Sequence, residues 1–304
     1  MMAFASAIEP LRMANRMSGK ELYSWKILSE NGEYIHASNG IKLTVDAGLI
    51  ECTRNQTILV IGSINITEVS TKPIIRWLQR ESRKGMPIGG LCTSAYSLAI
   101  AGLLDGKRVT IHWENRESLI EEFPDLNVTT SLYVIDGNRY TCAGGTAATD
   151  LMMKLISSAH GSALANDVAD QLIYTNLRSD KDEQRLSVPT RIGVRHQKLS
   201  DVITMMEANI EEPISPSELA DRVGMSTRQL ERLFSRYLNR SPKRYYLELR
   251  LQKARNLLLQ TNMSVINVAL ACGFTSPSHF SKCYRGFFET TPYRERGNPE
   301  AVTK

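Results

Sequence analysis

The sequence predicts two domains, a doubly wound α/β domain followed by an all-α domain that contains an internal repeat. Three observations support this fold class. The chain has 304 residues, which is too long for one average domain. Apolar strand-like runs alternate with helical patterns in the first part, and one helical pattern occurs twice in the second. With 42% hydrophobic and 23% charged residues, the composition excludes a disordered, collagenous or coiled-coil chain.

Three short apolar runs in the first part are strand candidates: residues 57–63, 85–91 and 108–113. Helical patterns over 72–84 and 93–104 separate them, and such alternation is typical of a parallel sheet covered by helices. Residues 24–47 and 128–145 are predicted to form hairpins added to the sheet, the second with Asp136-Gly137 at its turn. A flavodoxin-like architecture is therefore expected.

The longest uncharged run, Gly85 to Leu104, does not read as a membrane span, because eight of its 20 residues are Gly, Pro, Ser or Thr. The N-terminus carries Glu9 and no basic region, so it does not resemble a secretory signal. We therefore expect a cytoplasmic protein with no membrane partner. The five cysteines and five histidines form no CxxC pair or ligand-like cluster, so no disulfide framework, metal or cofactor is expected.

Positive charge is concentrated in the second part of the chain. Residues 1–195 have a formal net charge of zero, whereas residues 196–304 carry +5. This distribution indicates a polyanionic partner, and the alternative is a solvated helical face. The polar residues 176–197 are predicted to form a linker between a domain at 1–175 and a domain at 198–304.

A repeat of 49 to 50 residues predicts two helix-turn-helix units. Ala220, Gly224, Ser226, Leu230, Phe234 and Pro242 recur as Ala269, Gly273, Ser276, Phe280, Tyr284 and Pro292. Each copy reads as a helix, a glycine turn and a second helix with a serine N-cap. The outward faces of the second helices would carry Arg228, Gln229, Arg232 and Arg236 in the first copy and Ser278, His279, Lys282 and Arg285 in the second. This pattern favours DNA binding over the alternative, a pair of α-solenoid repeats.

Two more helices are predicted around the first copy. Residues 245–260 lack Gly and Pro, and they should form a stiff connector that spaces the two reading helices. Residues 199–213 show an amphipathic pattern that includes Ile210 and ends before Pro213, and they should brace the first unit.

The repeat, and above all the stretch 271–292, closely resembles the AraC/XylS family of bacterial transcription regulators over about 100 residues. The resemblance implies promoter DNA, RNA polymerase and a second copy of the chain as partners. It also implies that Arg228, Arg232, Ser278 and Lys282 read bases, whereas Arg236 and Arg285 contact phosphates.

Cys92 is the candidate reactive residue of the first part. It is predicted to lie where an apolar strand meets a helix, at the edge of the sheet where ligands bind, and a helix N-terminus would favour its thiolate. His112, at the end of the next strand candidate, could serve as its base, which would allow a Cys-dependent hydrolase or amidase. A redox sensor is a further possibility, and the alternative to all of these is a small residue that fills a tight turn.

Residues 91–113 and 142–156 resemble the class I glutamine amidotransferase-like domain of the ThiJ/PfpI type, and residues 5–29 resemble regulators of glycine betaine and carnitine catabolism. Thr93 stands where catalytic members often have His, and Ala3 where they commonly have an acidic residue. These departures imply a sensor rather than an enzyme. The family has an apolar strand before the first helix, and we expect that strand to be missing here.

The same resemblance implies a sequence-specific activator that responds to a small molecule, with glycine betaine, dimethylglycine and carnitine as candidates. The candidate ligand-binding residues are Cys92, Tyr96, His112, Trp113 and Glu9. The aromatic residues among them would supply faces for a quaternary ammonium group, and Glu9 or Glu114 the compensating charge. The alternative, which is favoured for Tyr96, is that an aromatic residue of an α/β domain simply belongs to the core.

Overall fold

The computed structural model describes residues 1–296, and the chain divides into two compact units, Met1–Gln184 and Arg185–Lys304. The first unit is α/β and the second is all-α, as the sequence predicts. No helix within the described residues combines the length and the apolar character that a membrane crossing requires.

The first unit contains seven α-helices and eight strands. The helices are α1 (Met2–Ser18), α2 (Ile66–Val69), α3 (Lys72–Ser82), α4 (Ala95–Ile100), α5 (Arg116–Glu122), α6 (Ala147–His160) and α7 (Ser162–Gln171). The strands are β1 (Ile35–His36), β2 (Lys42–Leu43), β3 (Ile58–Ile61), β4 (Ile88–Leu91), β5 (Arg108–Val109), β6 (Asn127–Val128), β7 (Tyr133–Asp136) and β8 (Arg139–Cys142).

The central sheet has the order β3-β4-β8-β7, in which the first three strands are parallel and β7 is antiparallel to β8. The predicted turn closes the β7–β8 hairpin, with Asp136 paired to Arg139 and Gly137 at a φ of +62°. One apolar cluster contains residues of α3, α4, β3 and β4, and another contains residues of α1, α6, β4 and β8. Helices thus cover the sheet through two separate apolar clusters, which is the predicted doubly wound arrangement.

Two predictions for the first unit differ from the structure. The run 108–113 forms only the short strand β5, which pairs with β6 outside the four-stranded sheet. The reason is that side chains replace ladder hydrogen bonds: the Thr110 N–H donates to the Thr141 hydroxyl at 2.9 Å, and the Thr110 hydroxyl donates to the Ser131 carbonyl at 2.7 Å. The 24–47 hairpin is likewise reduced to the two-residue strands β1 and β2. The first element of the chain is α1, with no strand before it in the described residues.

The second unit contains eight helices within the described residues. They are α8 (Val188–Ile192), α9 (Gln197–Ala208), α10 (Pro216–Arg222), α11 (Thr227–Leu238), α12 (Pro242–Gln260), α13 (Val265–Ala271), α14 (Pro277–Phe288) and α15 (Pro292–Arg296). The first half of α12 packs on a core with α9, α10 and α11, and its second half packs on a core with α13 and α14. A helix of 19 residues, about 28 Å long, is therefore shared by both cores, in agreement with the predicted connector.

The predicted linker and the predicted bracing helix differ in extent from the structure. The division between units falls inside 176–197, and part of that segment forms the helix α8, because Val188, Ile192 and Val194 pack on the core of the second unit. The bracing helix α9 ends at Ala208, so Ile210 is not helical. The Asn209 side chain donates to the Met205 carbonyl at 2.8 Å and thereby caps that end.

Candidate functional site

Cys92 is the centre of the candidate site in the first unit. It follows β4 directly and has a φ of +66°, a left-handed conformation that costs a residue with a Cβ about 1–2 kcal/mol. Its N–H donates to the Cys142 carbonyl at 3.0 Å, and its carbonyl accepts from the His112 N–H at 3.2 Å. The chain therefore holds Cys92 in a strained turn at the carboxyl end of the sheet.

Two glycines allow this turn to fit. A Cβ on Gly144 would lie 2.4 Å from the Cβ of Cys92, and a Cβ on Gly62 would lie 2.2 Å from the hydroxyl of Thr93. The buried Thr93 hydroxyl donates to the Ser63 carbonyl at 2.6 Å. Thr93, which stands where catalytic relatives often have His, is thus fixed in the packing of the turn.

The Cys92 thiol is stabilised in its protonated form, contrary to the prediction. Burial raises its pKa, and the nearby Glu114 carboxylate acts in the same direction, whereas the Thr93 N–H and the chain's amino terminus oppose the shift. A helix N-terminus was expected to favour the Cys92 thiolate, but α4 begins only at Ala95, three residues after Cys92. The arrangement therefore lacks a thiolate that is ready to react at neutral pH.

His112 is not at the end of a strand but caps the 3-10 turn Trp113–Asn115. Its Nδ1 accepts the Glu114 N–H at 3.4 Å. Burial lowers the pKa of the imidazole, and Glu114 partly offsets this. Within residues 1–296 no hydrogen bond joins the imidazole to the Cys92 thiol. Ala3, where the resemblance implies a supporting acid, lies in the same apolar cluster as Cys92.

The same turn places an aromatic ring and a carboxylate close together. Trp113 is 42% exposed, and its ring lies 5.6 Å from that of His112. The Glu114 side chain is 46% exposed, with its Oε2 4.0 Å from Nδ1 of His112. Through the His112 N–H this turn is attached to Cys92, so the structure brings Cys92, His112, Trp113 and Glu114 together.

Two predicted ligand residues make other contacts. Tyr96 is buried in the core against Phe123, with ring centroids 5.9 Å apart, and it belongs to a different apolar cluster from Cys92. Burial raises the pKa of its phenol, and the nearby Glu122 adds to that effect. The Glu9 carboxylate is engaged by Arg12 at 2.6 Å. Tyr96 is therefore a core residue, and Glu9 is an ion-pair partner on α1.

The raised pKa of Cys92 predicts slow alkylation at neutral pH. We expect its iodoacetamide rate to keep rising through and above pH 9, because more thiolate forms with each step in pH. In urea the alkylation rate of the same residue should be half-maximal near the ordinary thiol pKa of about 8.5. The rates are measured by mass spectrometry of the Cys92 peptide, and a plateau below pH 8 in the folded protein would contradict the assignment.

Sequence reasoning missed a segment that we call the strap, residues 174–184. The Asp150 carboxylate, whose side chain has no exposed surface, accepts from the Arg178 guanidinium at 2.7 Å and from the Tyr174 hydroxyl at 3.0 Å. Arg178 also donates to the Thr146 hydroxyl at 2.7 Å. The sequence signal that could have revealed this anchor is Asp150 itself, a carboxylate among apolar neighbours that requires a buried partner.

The far end of the strap is held beside the turn that carries Trp113. The Gln184 amide nitrogen lies within hydrogen-bond distance of three acceptors, the Thr110 hydroxyl at 2.9 Å, the Ile111 carbonyl at 3.0 Å and the Ser131 carbonyl at 2.9 Å. Ile111 directly precedes His112. The strap is thus anchored both at the start of α6, close to Gly144, and at the turn that carries Trp113.

In the second unit, α11 has an apolar buried face and a basic exposed face. Leu230 and Phe234 are completely buried. Arg228, Arg232 and Arg236 are exposed. Ser226 and Gln229 form the predicted capping box, in which the Gln229 side-chain oxygen accepts the Ser226 N–H at 2.8 Å. That oxygen is therefore used by the cap.

The second copy repeats this arrangement in α14. Phe280 and Tyr284 are completely buried, whereas Ser278, His279, Lys282 and Arg285 are exposed. The Ser276 hydroxyl accepts the His279 N–H at 3.3 Å, and Pro277 occupies the first turn. Gly224 and Gly273 have φ values of +63° and +74° in the two turns, as a positive-φ turn requires.

Comparisons with known proteins agree with these two units. Residues 5–158 match the DJ-1/PfpI family, and residues 219–298 match a helix-turn-helix domain. The chain is 46% identical over 300 residues to the HTH-type transcriptional regulator GbdR of Pseudomonas aeruginosa, covering 98% of this chain and 82% of that protein. It is 45% identical to the regulator CdhR of the same species, covering 97% and 88%. An AraC family transcriptional regulator from Pseudomonas putida shares 28% identity with a TM-score of 0.50, covering 57% of this chain and 92% of that one.

Proposed function

Because the chain belongs to the family of transcription regulators that join a DJ-1/PfpI domain to an AraC-type helix-turn-helix domain, we propose that it activates transcription when a small molecule binds beside Cys92. The observation that supports DNA binding most directly is the pair of serine-capped helices with exposed basic or polar faces. The proposed partners are promoter DNA, RNA polymerase and a second copy of the chain. The proposed location is the cytoplasm, where a bacterial promoter lies.

The exposed residues of α11 and α14 divide into two proposed roles. Arg228, Arg232, Ser278 and Lys282 read base edges, and Arg236 and Arg285 contact phosphates. Arginine can bind guanine through two hydrogen bonds, which gives about 1–3 kcal/mol of discrimination. Phosphate contacts fix the position of the protein and add affinity for any sequence.

Arg232→Ala should weaken binding to a specific operator more than binding to random DNA of equal length, by about tenfold or more. Arg236→Ala is the matched control on the same helix and should weaken both by a similar factor. The operator is taken from genomic binding-site mapping, and affinities are measured by fluorescence anisotropy at fixed salt. Equal losses for Arg232→Ala on both DNAs would make Arg232 a phosphate contact.

The effector site is assigned to the turn that carries Trp113 and Glu114. An exposed indole face attracts a quaternary ammonium group, with a contribution of about 0.5–2 kcal/mol, and a neighbouring carboxylate compensates its charge. The half-buried Cys92 and His112 would form the inner wall. This geometry supports a quaternary or tertiary ammonium metabolite such as glycine betaine, dimethylglycine or carnitine.

Trp113→Ala should weaken binding of such a ligand by about tenfold, because the aromatic face is lost. Trp25→Ala is a matched control, since Trp25 is similarly exposed at 40%. Calorimetry with the three candidate metabolites provides the measurement. No heat from any of them with the unmodified protein would discard this ligand class.

One observation favours a second function, a Cys-dependent hydrolase or amidase: the strained φ of Cys92 resembles the tight turn on which many nucleophiles lie. The protonated thiol and the engaged His112 weigh against it. Cys92→Ser separates the two functions. Normal induction without any turnover supports the sensor, whereas a turnover that disappears in the variant supports the enzyme.

A further inference from the structure

A second accessible cysteine lies in the DNA-binding unit. Of the five cysteines, Cys52, Cys142 and Cys272 are buried, whereas Cys92 and Cys283 are half-exposed. The sulfur of Cys283 lies 3.3 Å from Nε2 of His279, one turn earlier on α14. An imidazole nitrogen in contact with a thiol can accept its proton as the sulfur attacks. Cys283 has such a partner, whereas Cys92 has none within residues 1–296.

Cys283 lines a cavity of about 290 Å³ between α12 and α14. Leu247, Leu251 and Phe287 make its walls largely apolar. Glu248 also lines the cavity, but its carboxylate accepts hydrogen bonds from both Arg240 and Arg244. Lys282 also lines the cavity, so the net charge around the cavity is positive. Such a site suits a small anionic molecule with an apolar or sulfur-containing body.

We propose that Cys283 is a modification site for a low-molecular-weight anionic disulfide, for which oxidised glutathione is the probe. The Cys283 sulfur attacks one sulfur of the disulfide while His279 accepts the thiol proton. The S–S bond of the probe breaks, a mixed disulfide forms on Cys283, and one thiolate leaves and takes up that proton. The protein thiol is oxidised and the probe is reduced, so no other oxidant is needed.

The modification acts on DNA binding, and in this respect it rests on the proposed function. His279 and Lys282 both line the cavity and both belong to the exposed face that is assigned to DNA. An adduct on Cys283 places carboxylates beside Lys282 and occupies space next to this face. Its negative charge repels phosphates, so the modified protein should lose affinity for every DNA sequence.

The test uses the purified full chain with oxidised glutathione, and it has two readouts: mass mapping of the adduct, and DNA affinity by anisotropy. We expect the adduct on Cys283, a loss of DNA affinity of at least tenfold and recovery with dithiothreitol. Cys92→Ser should remain sensitive. Before treatment, Cys283→Ser should bind DNA with the affinity of the unmodified protein. Treatment with oxidised glutathione should not change that affinity. His279→Gln should slow adduct formation about tenfold.

An adduct found only at Cys92, or an equal loss of DNA affinity in treated Cys283→Ser, would overturn the proposal. Mass mapping does not depend on DNA. If the untreated protein binds no DNA, the proposed function fails, and the rate of adduct formation on Cys283 with and without His279 still decides whether the site is reactive.

Discussion

Gly273→Ala should destabilise the second unit by about 2–5 kcal/mol, roughly twice the effect of the equivalent change in the first copy of the repeat. At Gly273 a new Cβ would lie 2.6 Å from the Ile210 carbonyl oxygen and 2.8 Å from that of Glu211, in addition to the cost of a φ of +74°. Backbone atoms cannot rotate away as a flexible side chain can. The segment 210–213 must therefore shift.

Gly224→Ala is the matched control, because it has a similar φ of +63° and only the Lys198 ammonium within 4 Å of the new Cβ. It should cost only the conformational strain, about 1–2 kcal/mol. Thermal unfolding followed by helical circular dichroism compares the two variants. All three tryptophans, at 25, 77 and 113, lie in the first unit, so their fluorescence reports whether that unit is unaffected. Equal shifts for both variants would show that the segment 210–213 does not contact Gly273.

The contact between Gly273 and the segment 210–213 should also affect DNA binding. Residues 210–213 join α9 to α10 of the first helix-turn-helix unit, and Gly273 is in the turn of the second. Arg250 of α12 donates to the carbonyls of Cys272 and Gly273, both at 2.7 Å. The turn of the second copy is thus held directly against the segment 210–213 and, through Arg250, against α12. A shift in this segment should lower operator affinity, since both reading helices must fit one DNA molecule.

The parts of the fold that the sequence predicted are those fixed by local chemistry. The serine caps at 226 and 276, the Gly137 turn and the apolar runs of β3 and β4 each depend on residues close together in the chain. The second helix-turn-helix unit is predicted from its sequence similarity to the first copy of the repeat. These local signals were sufficient to identify two units and the exposed faces of α11 and α14.

The predictions that differed depended on contacts between distant residues. The strand at 108–113 ended early because Thr110 bonds to Thr141 and Ser131, which no local pattern reveals. The Cys92 thiolate was predicted from its place before a helix, but the burial that raises its pKa comes from neighbouring segments. For Tyr96 the sequence leaves a ligand contact and a core position open, because aromatic residues in the core and in a cleft look alike in sequence, and its burial agrees with the core position.

Disrupting the Asp150–Arg178 pair should uncouple effector binding from DNA binding. Arg178→Ala leaves a completely buried carboxylate without its cation, and such a change costs about 3–5 kcal/mol. Asp150→Asn should cost less, because the Arg178 side chain is 28% exposed and water can solvate it. Arg12→Ala removes an exposed arginine–carboxylate pair of similar length and should leave the melting temperature unchanged.

The functional expectation follows from where the strap is anchored. Asp150 holds it near Gly144 and Cys92, Gln184 holds it beside the turn of Trp113, and the second unit begins at the next residue, Arg185. A ligand can change DNA binding only if it has unequal affinity for two states. Under the proposed function, we expect a ligand beside Trp113 to act on the anchors of the strap. Asp150→Asn should therefore keep effector affinity and effector-free DNA affinity within about twofold of the unmodified protein but lose most of the ligand-induced change. A full ligand response in Asp150→Asn, measured by anisotropy with and without effector, would show that the signal leaves the site by another route.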